Sequence, residues 1–212
     1  MASAPNVNLW PSAQHALDYL RRADSIPHRV EGEAALLEFL PANPARVLDI
    51  GSGGGRLLAL IKSARPGARF VALDFSPTML ETLGKLFARE PNVEIVAHNF
   101  EEKLPPLADF DVVVSSFAIH HVPHARKRSL YHEIFGILSP GGVFCNLEHV
   151  DSPTPQLHAE FLRAISCEDE DPSNKLLYLE TQVRWLRECG FVQVDCHWKW
   201  RELAFFAGVR PA

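Results

Sequence analysis

The sequence predicts an α/β protein in which a mostly parallel sheet lies between two layers of helices. Short apolar runs alternate with helical segments along most of the 212 residues, a pattern typical of parallel sheets covered on both faces. The run at residues 110–115 is almost continuously apolar, as a strand buried on both faces should be. Another run, at residues 46–50, leads into a glycine-rich turn at residues 51–55. Open α/β sheets bind nucleotide-like ligands at such strand ends.

The predicted strands are short, rich in Val, Ile, Leu and Phe, and bounded by Gly, Pro, Asp or Ser. The last two are separated by a short polar link, which predicts a hairpin at an edge of the sheet. In chain order, the seven predicted strands span residues 46–50, 69–73, 93–97, 110–115, 143–148, 192–198 and 203–209.

Helices are predicted around these strands from apolar residues at helical spacing. The N-terminal region holds two helices that break near Pro27 and stop before Pro41. Ser76 is the predicted N-cap of a later helix, with Pro77 in its first position, and Gly190 stands where the last helix ends. The predicted helical segments span residues 12–40, 55–64, 77–90, 125–138 and 179–189.

The chain is predicted to form one domain, residues 1–212, because its length suits a single α/β unit and no linker or repeat divides it. Residues 1–40 are interpreted as a helical N-terminal lid. Residues 151–180 break the alternation of strands and helices, since they contain three prolines, an acidic run at residues 168–171 and one amphipathic patch. We interpret this second segment as a partly helical insertion that covers the site at the strand ends.

Charge and hydropathy exclude several classes of protein. The formal net charge is −5, and the one basic cluster, Arg126-Lys127-Arg128, is interpreted as a solvated helix face, so no nucleic-acid partner is expected. No apolar run approaches the roughly 20 residues that span a bilayer. The N-terminus lacks the basic and apolar regions of a signal peptide. We therefore expect a cytoplasmic protein with no membrane contact.

The chemistry-bearing cysteines and histidines do not predict a metal site. His120, His121 and His124 form a His-His-x-x-His pattern, but no dedicated carboxylate or thiolate ligand accompanies it at short spacing, so no metal is expected. Reduced thiols in the cytoplasm fit the cysteine usage. The spacing of the four cysteines matches neither a zinc site nor a disulfide framework. They are Cys145, Cys167, Cys189 and Cys196.

Three features around the glycine turn narrow the identity of its ligand. Asp74 ends the second strand, 23 positions after Gly51, where an acid accepts hydrogen bonds from a ribose diol. Arg56 occupies the position at which the dinucleotide fingerprint requires a small residue, which weakens an NAD interpretation. Asp49 would repel a pyrophosphate but attract an ammonium group. A tight turn without any ligand is the alternative.

These residues resemble the class I S-adenosylmethionine-dependent methyltransferases of the small-molecule type. The similarity extends from about residue 27 to the C-terminus. It implies a Rossmann-like three-layer sandwich whose seven-stranded, mostly parallel sheet has an antiparallel last strand, and it implies S-adenosyl-L-methionine as cofactor. The motifs that carry the resemblance lie at residues 47–55, 71–80, 110–121 and 138–142.

The resemblance assigns contacts to the methionine part of the cofactor. The backbone of Gly51, Ser52 and Gly53 would pack against it, where a side chain would clash. Asp49 would support the amino group, directly or through water. Arg29 would neutralise the cofactor carboxylate, with a surface position on its helix as the alternative.

The resemblance also assigns contacts to the adenosine. Asp74 would hold the ribose and Phe75 would lie against the adenine. Where the family usually has Asp, this chain has Asn99, whose amide oxygen could still accept a hydrogen bond from the adenine amino group. Phe100 would be an apolar neighbour of the ring. At the methionine end, backbone carbonyls would come from Ser115 and Ser116.

Methyl transfer from a sulfonium is an in-line displacement that needs a general base only when the acceptor must lose a proton. Four residues that follow the fourth and fifth strands are candidates for a base or an acceptor contact. A buried histidine bonded to backbone is the structural alternative for His121. The catalytic candidates are His120, His121, Glu148 and His149.

The function expected from the sequence is methyl transfer from S-adenosylmethionine to a small-molecule acceptor at O, N or C. The alternatives are another use of the cofactor, binding without transfer, and a nicotinamide-dependent oxidoreductase. A monomer or a homodimer is expected.

Overall fold

The computed structural model describes residues 7–212, so residues 1–6, the first part of the predicted lid, lie outside the described residues. Seven strands form one sheet in the order β3-β2-β1-β4-β5-β7-β6, and β7 runs antiparallel to both neighbours while the others are parallel to one another. The predicted fold is thereby confirmed. The strands are β1 Arg46–Ile50, β2 Arg69–Asp74, β3 Val93–Ala97, β4 Phe110–Ser116, β5 Leu138–His149, β6 Val192–Trp200 and β7 Leu203–Val209.

The helices follow the predicted segments closely, including the break near Pro27, where a 3₁₀ turn at Ala23–Ser25 ends the first helix. A second 3₁₀ turn, Ile119–His121, follows β4. Among the described residues, every helix is too short or too polar to span a bilayer. The helices are α1 Ala13–Arg22, α2 Arg29–Phe39, α3 Arg56–Ala64, α4 Pro77–Leu86, α5 His124–Ile137, α6 Pro155–Ala164 and α7 Leu179–Cys189.

Two apolar clusters, one on each face of the sheet, give the molecule its three layers. Side chains alternate between faces along a strand, so that Leu48 of β1 packs in one cluster and Val47 in the other. The first cluster includes Leu130 of α5 and Leu186 of α7. Helices α2, α3 and α4 cover the opposite face, where Leu58 of α3 is fully buried.

Strand β5 begins earlier than the sequence predicts. The Ser139–Gly142 region reads as a loop, but β5 starts at Leu138, directly after α5, and Leu138 pairs with Phe110 of β4. Gly141 lies in the left-handed region with φ +80°, and its N–H donates to the carbonyl of Arg210 at 2.9 Å. The glycine and proline residues at 139–142 therefore cause a shift of register within the β4–β5 pairing rather than a loop between α5 and β5.

The basic cluster on α5 is solvated at Arg128 but not at Lys127. Lys127 is fully buried, and its ammonium donates to the carbonyls of His120 at 3.2 Å, Val122 at 2.6 Å and Lys175 at 2.6 Å. The prediction is wrong for this residue because three carbonyls from two loops replace its water shell. Lys127 thus fixes the loop after β4 against the insertion.

Candidate active site

Two cavities open at the carboxyl ends of the strands. The first has a volume of about 200 Å³ and is lined by the glycine turn, the ends of β2 and β4, and the N-terminal helices. The second has a volume of about 430 Å³ and is lined by the 3₁₀ turn after β4, the end of β5, α1 and the insertion. The walls of both cavities share the side chains of Trp10, Tyr19, Phe117 and His121.

The glycine turn forms the floor of the first cavity. Gly51 and Gly53 both have positive φ, +70° and +54°, which favours glycine. A Cβ on Gly51 would lie 2.4 Å from that of Ala118, whereas a Cβ on Gly53 would meet nothing within 4 Å. Gly51 is therefore required by packing. Gly53 instead leaves open space on the cavity floor, where a ligand can approach the backbone closely.

Asp74 joins the turn to the start of α4. One of its carboxylate oxygens, Oδ2, accepts the N–H of Gly53 at 2.8 Å, and Oδ1 accepts those of Phe75 at 2.8 Å and Ser76 at 2.9 Å. Burial raises the pKa of Asp74, while these three bonds oppose the rise. Ser76 stands at the predicted N-cap position, but its side chain makes no capping hydrogen bond. Asp74 lines the cavity, and Oδ2, which accepts one N–H, keeps a lone pair for a ligand.

Asp49 is a buried carboxylate that lacks a partner. It is 1% exposed, and neither of its side-chain oxygens accepts a hydrogen bond from any of residues 7–212. Burial, reinforced by the nearby Asp74 carboxylate, raises the pKa of Asp49 to about 7. An unpaired buried carboxylate is costly unless a donor or a cation meets it. Since Asp49 lines the first cavity, the site fits the amino group of S-adenosylmethionine.

A buried ion-pair network connects the N-terminal helices to the turn. Glu33 is 2% exposed; its Oε1 accepts Nε of Arg29 at 2.8 Å, and Arg56 binds both of its oxygens at 2.8 Å. Arg56 also pairs with Asp24. Arg29 is buried and lines the first cavity rather than the surface. The sequence analysis missed Glu33, although its spacing of four from Arg29 was a signal of an ion pair on one helix.

The predicted adenosine residues lie together on the first cavity. Phe75, Asn99, Phe100 and Ser116 all line it. The side-chain oxygen of Asn99 accepts the N–H of Glu101 at 3.0 Å, which holds this loop in place. Two predicted site residues line neither cavity, Ser115 and the catalytic candidate Glu148. Ser115 is completely buried and donates its hydroxyl to the carbonyl of Ile50 at 2.8 Å.

Two of the predicted catalytic residues form a buried dyad beside the second cavity. Nδ1 of His120 lies 2.5 Å from Oε1 of Glu148, and the same oxygen accepts the N–H of His149 at 2.9 Å. Burial raises the pKa of Glu148 and lowers that of His120 well below its usual range. His120 lines the cavity, and its Nε2 makes no hydrogen bond within the described chain.

A second dyad, which the sequence analysis missed, holds His149. Nε2 of this ring lies 2.8 Å from Oε2 of Glu202, a residue that is 2% exposed. Glu202 also accepts the hydroxyl of Ser152 and Nδ1 of His158, at 3.0 Å. Hydrogen bonds from these donors keep the pKa of Glu202 low although burial opposes this. Glu202 sits in the turn between β6 and β7, and no local pattern there marks a buried acid.

His121 is held by a relay of two side chains from the insertion. The hydroxyl of Ser173 donates to Oδ1 of Asp171 at 2.7 Å and therefore accepts from Nδ1 of His121 at 3.1 Å. A neutral imidazole that donates from Nδ1 keeps its lone pair on Nε2. Burial lowers the pKa of His121 well below its usual range, so that the ring stays neutral near pH 7. Trp10 packs edge-on against it, with ring centroids 5.0 Å apart.

The two cavities and their lining residues define a class of protein. An α/β sheet carries a glycine turn, a ribose-type acid and an unpaired acid for an ammonium group in one cavity, and three imidazoles line the next. Such a site binds a nucleoside joined to an amino acid and presents its reactive end to a second molecule.

Comparisons with known proteins agree with this description. A family described as "Methyltransferase domain" matches residues 47–142. A demethylmenaquinone methyltransferase of Clavibacter sepedonicus is 32% identical over 195 residues, which cover 81% of this chain and 76% of the relative. A trans-aconitate 2-methyltransferase of Streptomyces avermitilis is 31% identical over 169 residues, covering 76% of this chain and 59% of the relative. The chain belongs to the class I S-adenosylmethionine-dependent methyltransferases.

Solved structures share the fold at lower sequence identity. An O-methyltransferase family protein from Burkholderia thailandensis has a TM-score of 0.74 at 18% identity and covers 96% of this chain and 62% of its own. Human N-acetylserotonin methyltransferase in complex with its cofactor has a TM-score of 0.72 at 18% identity, covering 96% of this chain and 58% of its own. The chain thus spans about three fifths of the length of these two structures.

Proposed function

We propose that this methyltransferase transfers the methyl group to a small molecule held in the second cavity, with His121 as general base. The observation that carries the proposal is the shared wall: His121 lines both cavities, together with Trp10, Tyr19 and Phe117. A methyl donor in the first cavity and an acceptor in the second would meet at these four side chains. Displacement requires this kind of close, oriented approach.

The residues of the first cavity would bind and orient the cofactor. Bound S-adenosylmethionine supplies the methyl carbon and a sulfur that keeps the electron pair of the broken C–S bond. Asp49 would pair with the ammonium group and Asp74 with the ribose, while Arg29, whose guanidinium lines the same cavity, would face the carboxylate. The open space above Gly53 would admit the methionine chain.

The residues of the second cavity would hold the acceptor and take its proton. As the acceptor oxygen or nitrogen bonds to the methyl carbon, its proton would pass to Nε2 of His121, the nitrogen that carries the lone pair. Asp171, which faces His121 through Ser173, would stabilise the resulting imidazolium. His120 and His149, each bonded to a buried carboxylate, would contact the acceptor further from the cofactor.

The N-terminal helices and the insertion would exclude water from the reaction. The N-terminal segment contributes Trp10 and Tyr19 to both cavities, and the insertion contributes Phe161 and Asp171 to the second. Lys175 of the insertion donates to the carbonyl of Val7 at 2.9 Å, so the two segments are in contact. Water exclusion protects the nucleophile and strengthens the electrostatic contacts inside the site.

The proposal is tested with cofactor labelled in its methyl group. The enzyme is incubated with labelled S-adenosylmethionine and a cell extract, which is then separated into its low-molecular-mass fraction and its protein and nucleic-acid fraction. We expect label in the small-molecule fraction. Label confined to macromolecules would contradict the small-molecule acceptor, and cofactor binding without any label transfer would favour a binding module.

The role of His121 is tested by substitution. His121→Gln should reduce label transfer about 100-fold, within the range that general bases contribute, while the affinity for S-adenosylhomocysteine changes less than about threefold. The matched control is His124→Gln, since His124 is exposed and lines neither cavity. Full transfer by His121→Gln would remove this residue from the role of base.

A further inference from the structure

The second cavity is lined by three imidazoles, each with one ring nitrogen that makes no hydrogen bond to residues 7–212. Nδ1 of His121 donates to Ser173, Nδ1 of His120 faces Glu148, and Nε2 of His149 faces Glu202. In a neutral imidazole, the nitrogen that donates its N–H to a carboxylate or hydroxyl leaves the lone pair on the other ring nitrogen. Within residues 7–212, none of those other nitrogens makes a hydrogen bond, and all three rings line the cavity.

Two of these rings are more than nine-tenths buried, so what remains accessible of them faces the cavity. His120 is 6% exposed and His149 is 9% exposed. Their ring centroids lie 5.6 Å apart, and that of His121 lies 3.9 Å from His120. With hydrogen bonds about 2.8 Å long, two donors on one ligand can satisfy the two ends of this row. A ligand with a single donor leaves one of these nitrogens without a ligand hydrogen bond.

The remaining walls favour a flat, uncharged ligand. Trp10, Phe117 and Phe161 supply aromatic surface and Leu162, Ile165 and Leu203 supply aliphatic surface. An anionic ligand is disfavoured, because one arginine, Arg22, faces the acidic lining residues Asp18, Asp169, Glu170 and Asp171.

A cationic ligand meets no acid directly at the buried end: Oε2 of Glu148 lacks a hydrogen-bond partner among residues 7–212, but Glu148 does not line the cavity. Glu148 and Glu202 lie behind the imidazoles and already accept their N–H groups. In the insertion, Asp171 is bonded to Ser173, and Glu170 lies 3.1 Å from Nε2 of His158. Besides the imidazole nitrogens, the lining leaves two uncharged groups, Nε1 of Trp10 and Oδ1 of Asn174, without a hydrogen-bond partner among residues 7–212.

We propose that the second cavity takes an uncharged aromatic acceptor with two hydroxyl groups, one bound at the His120–His121 end and methylated, the other bound by His149. Glu202 is the positioning residue that makes His149 an acceptor, because it fixes the proton on Nε2. This acceptor class rests on the proposed function, which assigns this cavity to the methyl acceptor. The reacting hydroxyl lies at the His121 end, since this ring also lines the cofactor cavity.

The test compares naphthalenes that differ in one substituent. With S-adenosylhomocysteine bound, affinities are measured by calorimetry for 2,3-dihydroxynaphthalene, 2-naphthol and 3-hydroxy-2-naphthoate. We expect the dihydroxy compound to bind at least tenfold more tightly than 2-naphthol and the carboxylate not to bind. Equal binding of the first two, tighter binding of the carboxylate, or no binding of all three would overturn the acceptor class.

Two variants separate a specific contact from a structural role. In Glu202→Gln, the new amide can donate to Nε2 of His149, so that Nδ1 becomes a donor and the preference should switch to 3-methoxy-2-naphthol. His149→Phe keeps the ring stacked on Phe161, whose centroid lies 4.9 Å away, and should abolish the preference altogether. His132→Phe, at an exposed histidine of α5, is the matched control and should retain it. An unchanged preference in both test variants would overturn the role of Glu202 and His149.

Different results would contradict the proposed function and the proposed acceptor class. Loss of S-adenosylmethionine binding, or label transfer only to macromolecules, would contradict the function itself. Methyl transfer to small molecules that carry a single hydroxyl or a carboxylate would leave that function standing and overturn the acceptor class.

Discussion

Asp49 carries a charge that the rest of the described chain does not compensate, and its titration should therefore control cofactor binding. Its pKa is raised to about 7 by burial. In the free protein this carboxyl lowers stability as the pH rises from about 4 to about 7, because the unfolded chain releases the proton first. A ligand ammonium group reverses this preference, since it pairs with the ionised form.

We predict that the affinity for S-adenosylhomocysteine increases about tenfold between pH 5.5 and pH 7.5, because Asp49 must lose its proton to pair with the ligand. Calorimetry in two buffers of different ionisation enthalpy should detect proton release from the protein near pH 6.5. Asp49→Asn should bind more weakly and show little of this pH dependence. A steep dependence that persists in Asp49→Asn would assign the titration to another group.

At the scale of an element, the two glycines Gly51 and Gly53 of the glycine turn should respond differently to substitution by alanine. Gly51→Ala places its Cβ against Ala118 and should lower the free energy of unfolding by about 2–4 kcal/mol. Gly53→Ala meets no atom of the protein, so it should cost only about 1–2 kcal/mol of backbone strain. Its Cβ nevertheless occupies the space we assign to the methionine chain.

Gly53→Ala is therefore predicted to fold but to lose at least about tenfold in affinity for S-adenosylhomocysteine, the equivalent of about 1.4 kcal/mol. Urea unfolding and calorimetry on the same preparations check both values. Gly67→Ala is the control, since a Cβ there also meets nothing and Gly67 has no positive φ and lines neither cavity. Wild-type affinity in Gly53→Ala would show that the ligand does not approach this part of the turn.

Helix α2 is fastened to the turn by Glu33, which stands between two arginines. Removing one partner of a buried ion pair leaves the other charges uncompensated and typically costs about 3–5 kcal/mol. We predict a loss of this size for Glu33→Gln in urea unfolding. Glu38→Gln, an exposed residue of the same helix, should change stability by less than about 0.5 kcal/mol. Similar small effects of both would show that the network contributes little.

At the scale of the whole molecule, the sheet and the cofactor cavity could be predicted from local patterns. Buried parallel strands are recognised in the sequence as apolar runs. Acids at their carboxyl ends, such as Asp49 and Asp74, lie at the same edge of the sheet. The partners of the histidines that we propose for the acceptor site could not be predicted in this way. Glu202 lies 53 residues from His149, and Ser173 lies 52 residues from His121, so their contacts depend on how the insertion and the last hairpin pack.

The burial of Lys127 escaped prediction for the same physical reason. A basic triplet on a helix is usually solvated, but here carbonyls from the 3₁₀ turn after β4 and from the insertion converge on one position of α5. The residue type can be read from the sequence. The carbonyl groups that replace water around the Lys127 ammonium come together only when segments distant in sequence have packed.

The N-terminal segment lines both cavities, the insertion lines the second, and the two segments contact each other, so ligand binding should order them together. Leu20 of α1 lines the first cavity, Trp10 lines both, and Lys175 of the insertion bonds to Val7. We predict that S-adenosylhomocysteine slows amide hydrogen exchange in α1 and in residues 168–176. Residues of α7, which line neither cavity, should show little change below the limit of global unfolding.

Saturation at about 100 times the Kd should also add about 2.7 kcal/mol to the free energy of unfolding, which corresponds to a rise in Tm of about 5–11 °C for a chain of this size. The rise should be largely lost in Asp49→Asn at the same ligand concentration, because its affinity is lower. Protection confined to the glycine turn, with α1 and the insertion unchanged, would show that the covering segments do not respond to the cofactor. Protection of α1 without protection of the insertion would show that the two segments respond independently. The hydrogen bond between Lys175 and Val7 would then not couple them.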